Sequence, residues 1–103
     1  MIVAEADLVA AVTRDRAAGR RIGLIPLAFD LLKIADVRAV QAAAARCDRL
    51  VAAVLDDGRA SRVIKAGDRA EIVDSLRGVD YVIVCAHDRV GALAALLMPD
   101  VRA

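Results

Sequence analysis

The chain has 103 residues, a formal net charge of +1 and an apolar fraction of 59%, with one phenylalanine, one tyrosine and no tryptophan. That length fits one small domain, residues 1–103, able to bury roughly two-thirds of its unfolded surface. The near-neutral charge and the lack of aromatic stacking platforms argue against nucleic acid as a partner, and no apolar run approaches the ~20 residues of a membrane span.

Cys47 and Cys85 are too few and too far apart for a metal cage or a disulfide framework. Glu5 and Asp7 make the start acidic, with no basic leader ahead of them, which argues against a secretory signal. The expectation is a cytoplasmic protein with two reduced thiols, which the apolar faces around Cys47 and Cys85 would bury.

A leading helix is predicted over about Asp7–Ala18, with Leu8 and Val12 on one face and Gly19 as its C-terminal cap. Ile22–Leu27 reads as the first strand. A helix from Val37 to about Cys47 follows, with Val37, Val40, Ala44 and Cys47 on one stripe and Asp36 as the N-cap. Leu50–Leu55 reads as the second strand, and Asp56-Asp57-Gly58 as the turn that ends it. The next helix, about Arg69–Leu76, takes Asp68 as its cap, Glu71 as the capping-box partner, and Ile72, Val73 and Leu76 as its inward face. Asp80–Ala86 is the third strand. Asp88 is placed to cap a last helix carrying Val90, Leu93 and Leu97, and a fourth strand barely begins at Val101.

Continuous apolar strands alternating with alanine-rich helices imply an α/β fold, a small Rossmann-like three-layer α/β/α parallel sheet with right-handed crossovers. Ligands of such sheets sit at the carboxyl ends of the strands. That rule gathers Ala28–Asp36, Asp56–Gly58 and Ala86–Asp88 on one rim. His87, the single histidine, lies there and reads either as a lone general base or as a surface residue beside a helix start.

The run Leu27-Ala28-Phe29-Asp30-Leu31-Leu32-Lys33-Ile34-Ala35-Asp36-Val37 resembles the phosphate-binding turn of the cytidylyltransferase-like nucleotidyltransferases, Gly-x-Phe-Asp-Leu-Leu-His-x-Gly-His-Val. Phe29, Asp30, Leu31, Leu32 and Val37 match it. Lys33 and Asp36 stand where the family has histidines, and Leu27 and Ala35 where it has glycines. Further matches run through most of the chain. Arg16-Ala17-Ala18-Gly19-Arg20-Arg21-Ile22 is similar to the strand-one entry of heptose-phosphate adenylyltransferases. Asp48-Arg49-Leu50-Val51 with Val54 and Asp57 resembles the second strand and its terminal Asp. Arg69, Leu76, Val79, Asp80, Tyr81 and Val82 resemble the third, and Met98-Pro99-Asp100-Val101 the entry to the fourth.

The resemblance implies a site for CTP or ATP with Mg²⁺, bound by Phe29, Asp30, Lys33, Asp36, Asp57 and Arg69. The family's histidines contact the phosphates and stabilise the transition state, and its glycines let backbone amides approach them. Loss of one such donor costs ~10²–10³ in rate. The family's later Ser/Thr-rich segment would follow Val101, so the fold is expected to be C-terminally truncated.

These departures imply no catalytic residue and a degenerate domain serving as a nucleotide-binding or assembly module. Two alternatives stay open. One is an active cytidylyl or adenylyl transferase acting on a sugar or polyol phosphate, with Lys33 in place of a histidine and Asp36 or Asp57 on Mg²⁺. The other is an interaction subunit that binds no nucleotide.

Each residue also has a plainer reading. Lys33 is solvated, Asp30 and Asp57 belong to turns, and Arg69 pairs with Asp80 or Glu71. In the family's strand order, strand one lies between strands two and four. With strand four barely begun, strand one becomes an open edge that invites a homodimer or a larger protein partner, although Pro26 would blunt such pairing.

Overall fold

The structure is a computed structural model that describes residues 1–28, 32–56 and 64–103. Its elements run in the order α1 (Glu5–Ala17), β1 (Ile22–Leu27), α2 (Ile34–Ala44), β2 (Arg49–Leu55), α3 (Ala66–Asp74), β3 (Tyr81–Cys85), a 3₁₀ turn (His87–Arg89), α4 (Val90–Leu97) and β4 (Val101–Arg102). The four strands form one parallel sheet in the order β3-β2-β1-β4.

Alternation along the strands splits the core in two. Ile22 and Leu24 of β1, Val51 and Ala53 of β2, and Ile83 and Cys85 of β3 pack under α1 and α4, against Leu8, Val12, Leu93 and Leu97. Ile25, Leu50, Ala52, Val54 and Val82 face the other way, against Val40 and Ala43 of α2 and Ala70 and Val73 of α3. The result is the three-layer arrangement expected from the pattern. The central strand β2 is apolar on both faces because helices cover both, and Leu50 through Val54 are completely buried.

Gly19 ends α1 as expected. At φ +83° its amide donates to Arg16 O, and the Arg20 amide reaches Asp15 O, the paired bonds of a Schellman motif. Gly23 is required by space. A Cβ there would stand 2.7 Å from Cys47 Sγ, so the thiol in the connection between α2 and β2 fills the gap that the glycine leaves beside β1.

The amino-terminal edge of the sheet is closed by one device used three times. Asp48, Asp80 and Asp100 each stand immediately before a strand. The amide of each donates to a neighbouring residue's carbonyl, and its carboxylate accepts that same residue's amide. The partners are Arg21 for Asp48 (2.9 and 2.8 Å), Leu50 for Asp80 (3.0 and 2.8 Å) and Ile22 for Asp100 (2.8 and 2.8 Å). Each pincer satisfies a strand-entry amide and fixes the register of the adjacent strand.

Several local expectations change. α2 begins at Ile34 with Lys33 as its N-cap, so Asp36 lies one turn inside the helix. α3 begins at Ala66 with Lys65 as its N-cap, which moves Asp68 off the cap as well. Asp88 falls within the 3₁₀ turn, and Arg89 precedes α4. β1 is not a bare edge, because β4 pairs with Gly23 and Leu24, and the Ala103 amide donates to Leu24 O at 3.1 Å. Beyond β3, Ile2 forms a parallel bridge with Val82. No helix among the described residues is long and apolar enough to cross a membrane.

Candidate functional site

Parallel strands place the start of each following helix at their carboxyl ends. The rim is therefore built by Ala28 and the first turn of α2 after β1, by Asp56 and the first turn of α3 after β2, and by Ala86 and the 3₁₀ turn after β3. The Asp56 amide donates to Cys85 O at 2.9 Å and ties the ends of β2 and β3 together.

At α2, the Asp36 carboxylate turns back and accepts the backbone amide of Lys33 at 3.1 Å. The Asp36 and Val37 amides donate to the Lys33 carbonyl, at 3.0 and 3.1 Å. Asp36 thus supplies the third-position half of a capping box, and its negative charge sits at the positive end of the helix dipole. A lysine side chain has no acceptor to complete the box. The same order recurs at α3, where Lys65 is the N-cap and Asp68 stands at the third position. Lys33 and Lys65 are both exposed.

Arg69 sits differently. It lies in the first turn of α3 and is only 1% exposed. Its Nε donates to Ile64 O at 2.9 Å, and its Nη1 donates to Ala28 O. One guanidinium therefore holds the end of β1 and the approach to α3. The Asp80 carboxylate, one expected partner of Arg69, is engaged by the Leu50 amide at the opposite edge of the sheet.

Of the six expected binding residues, Lys33 and Asp36 come together at the start of α2, and Arg69 is buried at the root of the same rim. Phe29, Asp30 and Asp57 lie outside the described residues. His87 is exposed in the 3₁₀ turn. Among the described residues no group of three or more His, Cys, Asp or Glu stands close enough to hold a metal ion. Burial pushes both thiols up, with the charges of Asp80 and Asp48 adding to the effect at Cys47, so neither cysteine is an activated nucleophile.

A polar cluster that the sequence reading missed lies at the other edge of the sheet. Asp15, on the inner face of α1, is 5% exposed. It accepts from the Tyr81 hydroxyl at 2.5 Å and from Arg20 Nη1 at 3.0 Å, with Arg49 Nε 3.9 Å away. Burial raises the Asp15 pKa, but the Tyr81 and Arg20 hydrogen bonds and the charges of Arg49 and Arg20 outweigh it, and the net shift is downward. Burial and then the Asp15 hydrogen bond push Tyr81 upward. The cluster ties α1 to the starts of β2 and β3. The available signal was a lone Asp among the apolar positions of α1.

No family model matches the chain. It is 33% identical to the bifunctional protein HldE of Gluconacetobacter diazotrophicus over a 107-residue alignment that covers 97% of this chain and 22% of that protein. With the bifunctional protein HldE of Halorhodospira halophila it is 36% identical, over 96% of this chain and 22% of that one. The fold superposes on a lipopolysaccharide core biosynthesis protein from Thermoplasma volcanium with a TM-score of 0.75, over 82% of this chain and 73% of that one, at 18% identity. The chain is a nucleotidyltransferase-like domain, similar over nearly its whole length to one segment of the HldE proteins. It spans about a fifth of the length of the HldE proteins it matches. Within this nucleotidyltransferase-like domain the matched segments divide by position. Asp48, Asp80 and Asp100 are strand pincers on the amino edge, while Lys33 and Asp36 occupy the rim.

Proposed function

We propose that this nucleotidyltransferase-like domain does not catalyse nucleotide transfer and acts in the cytoplasm as a nucleotide-binding or assembly module. The observation that carries the reading is the first turn of α2. There the Asp36 carboxylate takes the Lys33 amide and sits on the helix dipole, in the place where a transferring phosphate needs donors. A carboxylate ~4 Å from a phosphate repels it by up to about 4 kcal/mol at an effective dielectric of 20. Exposed Lys33 supplies one flexible positive charge in compensation. Helix-start acids at both α2 and α3 favour a rim that holds nucleotide weakly rather than one that stabilises transfer.

CTP or ATP with Mg²⁺ is the proposed ligand, with Lys33 as its contact among the described rim residues. Calorimetric titration with ATP and CTP, with and without Mg²⁺, tests this. Saturable binding weakened by Lys33→Ala supports the nucleotide module. No heat at millimolar nucleotide leaves assembly as the role.

For assembly, a second copy or a larger protein partner is proposed along β1. Light scattering after size exclusion checks it, and a stable monomer at micromolar concentration counts against self-association.

A further inference from the structure

Arg69 is among the largest completely buried side chains of the molecule, yet it is a cation. A buried charge is costly unless its donors are met, and here two of them meet main-chain carbonyls from separate parts of the chain. Ala28 directly follows β1, and Ile64 leads into α3. Each carbonyl belongs to a different wall of the rim, and the guanidinium joins them from beneath. A guanidinium suits this task because its rigid fork presents several donors at fixed angles, whereas an ammonium is a point donor on a flexible stem.

We propose that Arg69 is a positioning residue that sets the separation of the α2 and α3 sides of the rim, and that it influences a bound nucleotide through that separation without touching it. The binding part rests on the nucleotide reading above; the positioning part does not. Burial to 1% keeps the guanidinium off the open surface where a soluble triphosphate arrives, and its two described bonds run along the floor of the rim. Without Arg69 the end of β1 at Ala28, which leads into α2, loses its described side-chain tie to the approach to α3, although both helices keep their core contacts through Val40, Ala43, Ala70 and Val73.

The test uses Arg69→Lys, which keeps the charge and most of the volume, with urea denaturation to establish that the variant is folded. Amide resonances are compared with those of the unchanged protein. Positioning predicts shifts at the start of α2, across Lys33–Val37, together with shifts at the start of α3, and none across α4. Shifts confined to α3 overturn the proposal. Where the unchanged protein binds ATP or CTP, Arg69→Lys should weaken binding roughly 2- to 30-fold, the range of substitutions that act without contact. Unaltered affinity despite shifts in α2 overturns the link to binding. If the unchanged protein binds neither nucleotide, the nucleotide reading fails, and the resonance shifts still decide whether Arg69 positions the rim. Should Arg69→Lys not fold, Arg69→Gln read by the same resonances replaces it.

Discussion

The two edges of the sheet are built on different terms. At the amino edge, carboxylates are spent on structure. Asp48, Asp80 and Asp100 each close a pincer on a strand-entry amide, and Asp15 binds Tyr81 and Arg20 beneath α1. At the carboxyl edge, polar side chains serve the helix starts and the rim instead. Lysines stand at the two helix N-caps, acids follow at their third positions, and an arginine is drawn into the floor. Likeness in fold therefore says little by itself about transfer chemistry.

The amino edge should be the harder one to disturb. Asp15→Ala leaves the half-buried Tyr81 hydroxyl without its acceptor and Arg20 without its partner, and should cost about 2–3 kcal/mol in urea denaturation. The same group gives a pH dependence. Its carboxyl is more acidic in the folded state than the ordinary value of 3.8, so its contribution is present above that pH and is lost as the pH falls through and below it. Asp15→Asn should flatten that acid limb. Tyr81, the single tyrosine, reports directly, because its phenolate absorbance should titrate above pH 10 and return toward 10 in Asp15→Asn.

Gly23→Ala comes next, at about 1–3 kcal/mol for overpacking against the Cys47 thiol. Combining it with Cys47→Ala should recover part of that loss, a coupling that a double-mutant cycle measures. Loss of one pincer carboxylate, as in Asp80→Ala, should cost about 1–2 kcal/mol, for one charge-assisted bond to a buried strand amide. Asp36→Ala should be the mildest, at about 0.5 kcal/mol, because it removes only an exposed helix-start bond. A large loss at Asp36 with a small one at Asp15 would invert the ranking and break the contrast between the two edges.

Much of the scaffold was legible because long-range packing agreed with local pattern. β1 is the run Ile22–Leu27 that its apolar residues suggest, and Gly19 closes α1 with a positive φ that few other residues accept. Helix starts were misread where a favourable capping residue lay one turn inside the true end. Asp36 and Asp68 are good caps in isolation, but the chain enters α2 and α3 at Lys33 and Lys65, and the acids serve at the third position instead. The pincers went unread although Asp precedes an apolar run three times, because their partners lie 27, 30 and 78 residues away in sequence. At the rim, Lys33 and Asp36 stand one turn apart at the start of α2, with the Lys33 amide on the Asp36 carboxylate. Burial of Arg69 beneath two distant carbonyls is a tertiary fact that no spacing rule contains.

The most direct test of a retained scaffold with an altered rim is pyrophosphate release from ATP and CTP. It would be run with Mg²⁺ and with a sugar phosphate or glycerol phosphate as acceptor, on a protein shown by its urea transition to be folded. No release above background is the expected result. Turnover that requires the folded chain and disappears in Lys33→Ala would contradict it, and would make Lys33 the group that stands in for the missing histidine.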